Sequence, residues 1–220
     1  MADAKHIIAH RIAQELEDGY VVNLGIGLPT LVANYVPEGI DISLQSENGI
    51  IGMGSVCAPG EEDKDTINAG AQYVNVIPGA AYFDSATSFG IIRGGHVDLT
   101  VLGALQVDQE GNLASHIVPG KMAPGMGGAM DLVVGAKKVI IGMVHTQKGA
   151  PKIFEKISLP PTALKCVDMI VTEMGVMVVT DKGLELTEVA PGVTVEDIQA
   201  VTACPLIVNG TPKTMVMPAE

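Results

Sequence analysis

Tryptophan is absent from this sequence, and only 3% of its residues are aromatic. Packing must therefore fall to aliphatic side chains. Cysteine is scarce as well. Cys57, Cys166 and Cys204 are odd in number, far apart and form no C-x-x-C pair, which argues against a disulfide framework and a cysteine-rich zinc site. The expectation is three unpaired buried thiols in a reducing cytoplasm. Positive charge is also short: 13 Lys and Arg stand against 25 Asp and Glu, for a formal net charge of −12. Such a surface has no general affinity for nucleic acid or anionic membranes, although backbone amides could still hold one anionic ligand locally. No apolar run approaches the roughly 18 residues of a membrane-spanning helix. The first ten residues lack the basic segment and unbroken apolar core of a secretory signal.

What is present points to an α/β fold. Glycine is abundant at 26 residues, and apolar residues make up 47% of the chain. Continuous aliphatic runs joined by glycine turns suit an open, largely parallel sheet flanked by helices. No composition shift divides the chain, so residues 1–220 are expected to form one domain. The apolar spacing of Asp3 to Asp18 predicts an amphipathic helix ended by Gly19. Tyr20 to Leu24 reads as a strand, followed by Gly25-Ile-Gly27 and a short helix with Pro29 in its first turn. That arrangement can bind an anion at a helix N-terminus. Without a third glycine it is a weak nucleotide motif, and a structural tight turn fits equally well.

Ile42-Ser-Leu-Gln-Ser-Glu47-Asn-Gly49-Ile-Ile-Gly52-Met-Gly54 is the stretch around which the chain is organised. An apolar, strand-like start breaks into polar residues, offers one carboxylate and dissolves into glycines that permit close approach. Glu47 is therefore a candidate nucleophile, although most Glu residues in turns are simply solvated. Further on, a surface stretch is expected at Ala58–Asp65, a strand at Val74–Gly79 and a helix from Asp84-Ser85 to Arg93. An aliphatic strand is expected from Asp98 to Val107, interrupted by Gly103. Gln109 to Met130 reads as a functional loop of Gly, Pro and Met without secondary structure. Its Met122, Met126 and Met130 read as packing residues. Gly127-Gly128-Ala129 then leads into a helix whose free amides could receive a developing negative charge. Lys137 to His145 is a buried-strand pattern. His145 stands at its carboxyl end, where ligands gather in open sheets, but a lone His there is more often structural. His6 and His10, at i, i+4, read as a solvated helix face. Cys166–Val171 closes the sheet, Gly175–Val189 reads as a C-terminal hairpin, and Thr194 with Asp197 as a variant capping box. The tail after Cys204 is expected along the surface or a partner.

These motifs together resemble the β subunit of family I CoA-transferases of the 3-oxoacid type. The resemblance is carried by Val22-Asn-Leu-Gly-Ile-Gly27, Ser46-Glu-Asn-Gly49, Gly94-Gly-His-Val-Asp98, Leu102-Gly-Ala-Leu-Gln-Val-Asp108 and Pro119-Gly-Lys through Gly125-Met-Gly-Gly-Ala-Met-Asp131. It implies the CoA-transferase and sugar-phosphate isomerase type of fold. It also implies ping-pong transfer of CoA between an acyl-CoA, acetoacetyl-CoA or another short-chain thioester, and a carboxylic acid. Glu47 becomes the nucleophile that carries a glutamyl-CoA thioester. A carboxylate of reference pKa about 4.3 needs no general base at neutral pH. The resemblance assigns Gly128, with Ala129 beside it, as oxyanion amides. Asn23, Gly25, Gly27, Asn48 and Gly49 become contacts to CoA or substrate. It implies CoA as a substrate with no permanently bound cofactor or metal, and an α subunit that completes the site in a heteromer such as α2β2. Ser115-His116 departs from the family's usual Asn-Trp, and Val144 stands where an acidic residue often precedes the His. Both departures bear on acid preference. Two other readings compete: a short-chain acyl-CoA hydrolase on the same scaffold, and a non-catalytic subunit that merely retains Glu47. A sugar-phosphate isomerase relative would need Ser/Thr-rich phosphate loops, which are not seen.

Overall fold

The computed structural model describes residues 3–121 and 123–218; Met122, expected as a packing residue, lies outside them. Asp3 caps α1 (Ala4–Ala13) by accepting from His6 N. The helix stops at Gln14, well before Asp18, because the chain turns there to enter the sheet. β1 (Val21–Leu24) leads through a 3-10 helix (Leu28–Tyr35) to β2 (Ser43–Ser46). Then come β3 (Ile50–Val56), β4 (Val74–Tyr82), α2 (Ser85–Arg93) and β5 (Leu99–Leu102). β6 (Gln106–Asp108), β7 (Leu113–Ala114), α3 (Ala129–Gly135) and β8 (Lys138–Gly142) follow. The short strands β9 (Thr146–Gln147), β10 (Ala150–Pro151) and β11 (Ile153–Phe154) precede β12 (Met169–Val171). The chain closes with β13 (Gly175–Thr180), β14 (Gly183–Val189), α4 (Val195–Ala200), β15 (Leu206–Ile207) and β16 (Lys213–Thr214).

Among the described residues the main sheet runs β15-β14-β13-β12-β8-β5-β1-β2-β3-β4, with β16 also on β14. Its centre, β2-β1-β5-β8-β12, is parallel. The pairs β2–β3–β4 and β12–β13–β14 extend it antiparallel on both sides. All four residues of β5 are buried, because helices cover both faces and a continuous aliphatic run is what such a strand needs. Val22, Leu99, Val101 and Ile140 pack under Ile8 and Ile12 of α1. On the other face, α2 and α3 meet at Ile92 and Leu132, while β6, β7 and β11 cover Ile141 and Ile170. Among the described residues no helix is long and apolar enough to cross a membrane.

Several expectations need correction. Gly52 and Gly54 lie in β3, where they pack on β4: a Cβ at Gly52 would meet Ala80 at 2.9 Å. β4 runs through Pro78-Gly79 to Tyr82, its pairing shifted by irregularities. The run from Asp98 to Val107 is two strands in two sheets, because Gly103 marks where the chain leaves the main sheet for β6. The Gln109–Met130 segment contains β7, paired with β6. Met130 is exposed. The tail adds β15 and β16 to the sheet and buries Met215. The three thiols are unpaired, but Cys57 and Cys166 are only partly buried. His6 is not simply solvated, since its Nδ1 lies 2.6 Å from the Tyr35 hydroxyl. The hairpin β13–β14 and the capping box at Thr194 are present as expected.

One ion network ties α1 to the sheet. The buried Arg11 guanidinium donates from Nε and Nη2 to Glu188 of β14 at 2.8 and 2.7 Å, and from Nη1 to Glu15 at 2.7 Å. Lys138 of β8 donates to the other oxygen of Glu15. Burial alone would raise the Glu15 carboxyl, but the bonds from Lys138 and Arg11 outweigh it and hold it below 4.5. A lowered carboxylate stabilises the fold above its unfolded pKa, and that stability is lost as pH falls through the lowered value. Replacing Arg11 with Met strands the Glu188 carboxylate and leaves Glu15 with Lys138 alone, and we expect a loss of roughly 3–5 kcal/mol in urea unfolding at neutral pH. A loss below about 1 kcal/mol would mean that the network behaves as a solvated surface pair.

Candidate active site

Parallel strands end on one side of the sheet, and the loops leaving them converge there. Glu47 follows β2, Gly25 and Ile26 follow β1, and Gly103 to Leu105 follow β5. Together they line a cleft of about 680 Å³. Asn68 to Gln72 and Pro124 to Gly127 add further walls, with Ser115-His116 beyond β7. The glycine- and proline-rich segment is thus part of the enclosure.

The position of Glu47 comes from a tight hairpin. Ser46 pairs with Ile50, so Glu47, Asn48 and Gly49 make the connection, and Gly49 N donates to Ser46 O at 3.0 Å. Gly49 has φ +121°, and a Cβ there would drive into the Phe83 carbonyl oxygen. Only glycine fits on both counts. Phe83 N in turn donates to Gly49 O at 3.0 Å. This locks the turn to the end of β4. Asn48 is exposed and gives its amide to Ile67 O at 2.7 Å.

Glu47 is half-buried, with Gly128 against its stem. A Cβ on Gly128 would sit 3.1 Å from Glu47 Cγ and 3.5 Å from Phe89 Cζ. On the other side Asn23 Nδ2 lies 3.4 Å from Glu47 Oε2, and also donates to Gln45 O and Oε1 at 3.1 and 2.7 Å. Two of these three acceptors, the backbone carbonyl and the carboxylate, can only accept, so the amide must present nitrogen here. Gln45 is held in turn by Nε2 donating to Ser88 Oγ of α2 at 3.1 Å. Asn23, Gln45 and Ser88 are all buried. Their chain of hydrogen bonds therefore links the carboxylate to β1, β2 and α2 without reaching solvent.

The residues singled out in the sequence divide into two groups. Glu47, Asn23, Gly25, Gly128 and Ala129 come together at or beside the cleft. Gly25 lets β1 approach β5, since a Cβ would meet Leu102 Cδ2 at 2.9 Å. Gly128 N has no backbone or side-chain acceptor among the described residues, whereas Ala129 N donates to Met126 O at 3.3 Å. Only the first amide is uncommitted. Gly27, Asn48 and Gly49 do not line the cleft. Gly27 caps the 3-10 helix at φ +88°, and its carbonyl accepts from Thr30; the other two build the hairpin turn. The sequence reading missed Gln45 and Ser88, which show no local signal beyond polarity within apolar elements.

His145 belongs to the core. It is fully buried, with Nδ1 3.0 Å from Thr172 Oγ1 and Nε2 2.9 Å from Thr202 Oγ1. Burial lowers its pKa from 6.5 to about 4. The unfolded chain therefore binds a proton that the folded chain refuses. Stability is expected to fall by roughly 3 kcal/mol as pH drops from 6.5 to 4, at about 1.4 kcal/mol per unit. His145→Asn should flatten that slope in unfolding measured across the range; an unchanged slope refutes the assignment. Gly128 has φ −81°, open to any residue, so packing excludes a side chain there. Gly128→Ala is expected to stay within about 1.5 kcal/mol of the parent in stability, and a crystal structure should find the Glu47 carboxylate displaced. An unmoved carboxylate would show that the wall is soft.

Comparison with known proteins agrees with this geometry. The family model described as Coenzyme A transferase matches residues 5–200. The beta subunit of an acetate CoA-transferase from Escherichia coli K12 is 57% identical over 201 residues, covering 91% of this chain and 92% of the relative. One subunit of a probable succinyl-CoA:3-ketoacid coenzyme A transferase from Bacillus subtilis is 46% identical, covering 95% and 97%. Among solved structures, an acyl-CoA transferase apoenzyme from Escherichia coli O157:H7 superimposes with a TM-score of 0.79 at 26% identity. That alignment covers 97% of this chain but only 43% of the larger one. The chain belongs to the coenzyme A transferase family.

Proposed function

We propose that this chain is the nucleophile-bearing subunit of a CoA-transferase that moves CoA from a short-chain acyl-CoA, such as acetoacetyl-CoA, to a carboxylic acid. The observation that carries the reading is Glu47 itself. Its carboxylate is held by the Asn23 amide in a cleft walled by Gly128. A Glu47 oxygen attacks the thioester carbonyl, CoA leaves as thiolate, and a mixed glutamyl anhydride forms. The thiolate attacks the glutamyl carbonyl, the first acid leaves as its carboxylate, and a glutamyl-CoA thioester remains. A second carboxylate reverses both steps. The uncommitted Gly128 amide is the proposed oxyanion donor; losing one donor of this kind costs roughly 3 kcal/mol. CoA enters as a substrate, with no resident cofactor, and Asn23 and Gly25 flank its proposed approach.

A partner of the α type is proposed to complete the site in a heteromer such as α2β2. Relatives named as beta subunits support this, as does the match to less than half of a longer transferase chain. Tyr82 and Ile77 of β4 are exposed near the Glu47 hairpin, and Val56 is exposed at the far end of β3, apolar residues that a second subunit would cover. Unpaired Cys57, Cys166 and Cys204 fit the reducing cytoplasm.

The test is intact mass after adding acetoacetyl-CoA without acceptor, to the chain alone and to its complex with the α subunit. A CoA-sized adduct mapping to Glu47 and discharged by acetate is the expected result. Glu47→Gln should abolish the adduct and cut transfer by at least roughly 10³-fold. Steady CoA release without an adduct would indicate hydrolysis instead, and full activity of Glu47→Gln would leave the chain a non-catalytic subunit.

A further inference from the structure

Of the described residues that line the cleft, two carry titratable side chains: Glu47 and His116. The second has no part in the chemistry above. We propose that His116 is the residue that selects the acyl group, through a hydrogen bond from its ring Nε2 to an oxygen that the substrate carries beyond the reacting carbonyl. The inference rests on the transferase reading and adds to it a determinant of substrate choice.

Three observations support it. The first is position. Ser115-His116 follows β7, and β7 lies against the loop leaving β5, where Leu105 N donates to Ala114 O at 2.9 Å. In the sheet β1 separates β5 from β2, so His116 stands across the β1 loop from Glu47. A substrate whose carboxyl carbon meets Glu47 extends its remote end toward that side.

The second observation is orientation. His116 is only 7% exposed, and Nδ1 lies 3.2 Å from Thr162 Oγ1. Thr162 is itself fixed, with its N–H donating to Leu113 O and its hydroxyl accepting from Ser115 N at 3.0 Å. The Ser115 hydroxyl is 2.8 Å from the same oxygen. When Thr162 donates to Nδ1, Nε2 carries the ring proton. When Nδ1 donates to Thr162 instead, the Thr162 hydroxyl donates to Ser115 Oγ and the neutral ring leaves Nε2 an acceptor, so the proposal requires the first arrangement. Either way the ring is held by one nitrogen, and Nε2 has no protein partner among the described residues, nor is it sealed from solvent.

The third is contrast. The neighbouring cleft residues Leu102, Ala104 and Leu105 offer no side-chain hydrogen bond. Across from them Asn68 bonds Gln72 and nearby amides and Thr30 bonds Gly27 O, while the amide nitrogen of Gln72, without an acceptor among the described residues, belongs to an exposed side chain that no contact orients from that end. A single oriented donor on an apolar wall discriminates strongly between ligands with and without a matching oxygen, because the ligand that lacks it leaves the group unpaired.

The experiment compares kcat/KM for acetoacetyl-CoA, succinyl-CoA and butyryl-CoA, with acetate as acceptor, in the reconstituted complex. The parent should favour the first or second over butyryl-CoA, and which of them leads separates a ketone from a carboxylate as the recognised oxygen. His116→Phe keeps a ring without Nε2 and should lower that preference at least about tenfold. His116→Gln keeps a donor and should retain more of it. Thr162→Val leaves the imidazole unanchored and should lower the preference too, which serves as the deciding variant if thermal melting finds His116→Phe misfolded. An active His116→Phe complex with the parent's preference overturns the proposal, as does a parent with no preference. A parent complex that moves no CoA to any acid overturns the transferase reading instead.

Discussion

The approach of Gly49 to the Phe83 carbonyl is the contact on which the site depends. It lets β2 reverse within a few residues and pins the reversal to the end of β4. Glu47 is thereby held at the carboxyl edge of the parallel strands. From there the Asn23 amide can reach it from β1, and the Gly127-Gly128 turn can close over its stem. Each of these partners comes from a different element, and none would find the carboxylate if the turn were wider by a Cβ.

Most carboxylates in the sequence motifs serve the frame. Asp98 accepts from Val21 N at 2.8 Å and pairs with Lys137, joining the starts of β1, β5 and β8. Asp168 does the same for Val139 N. Buried Asp108 closes the turn after β6 by accepting from Glu110 N, Asn112 N and Ile157 N. Asp131 pairs with Arg93 across α2 and α3. Such groups satisfy amides that a strand start or turn leaves unpaired. Glu47 differs in that, among the described residues, a single long contact from Asn23 holds it and its other oxygen has no partner.

Met53 of β3 lines the cleft, and exposed Tyr82 at the end of β4 pairs with Ile50 beside the Glu47 hairpin. The proposed anhydride intermediate would be destroyed by water, so the proposed chemistry demands a covered site. That proposal asks for a second protein surface over Glu47. The orphaned Asn23 Oδ1 and Thr100 Oγ1, adjacent by strand register, lie deep beneath it.

Local chemistry was legible in the sequence wherever one segment sufficed. Asp84 and Thr194 cap their helices as their spacing predicts, and β5 and β8 are the buried strands that their aliphatic runs imply. Glu47 was legible because a carboxylate between a strand and glycines is a local pattern, and because the motif around it resembles a known family. What the sequence could not carry was pairing between distant segments. Gly52 and Gly54 read as loop because glycine disfavours strands, yet β4 comes so close that larger side chains would clash. His145 and Glu47 both follow a strand and looked alike as site candidates. Thr172 and Thr202, from remote parts of the chain, enclose the first, while the hairpin leaves the second facing the cleft. The sequence determined most of the helices and central strands and which side chain is the candidate nucleophile. Tertiary structure decided which strand end is open, because burial and hydrogen-bond partners depend on what packs there.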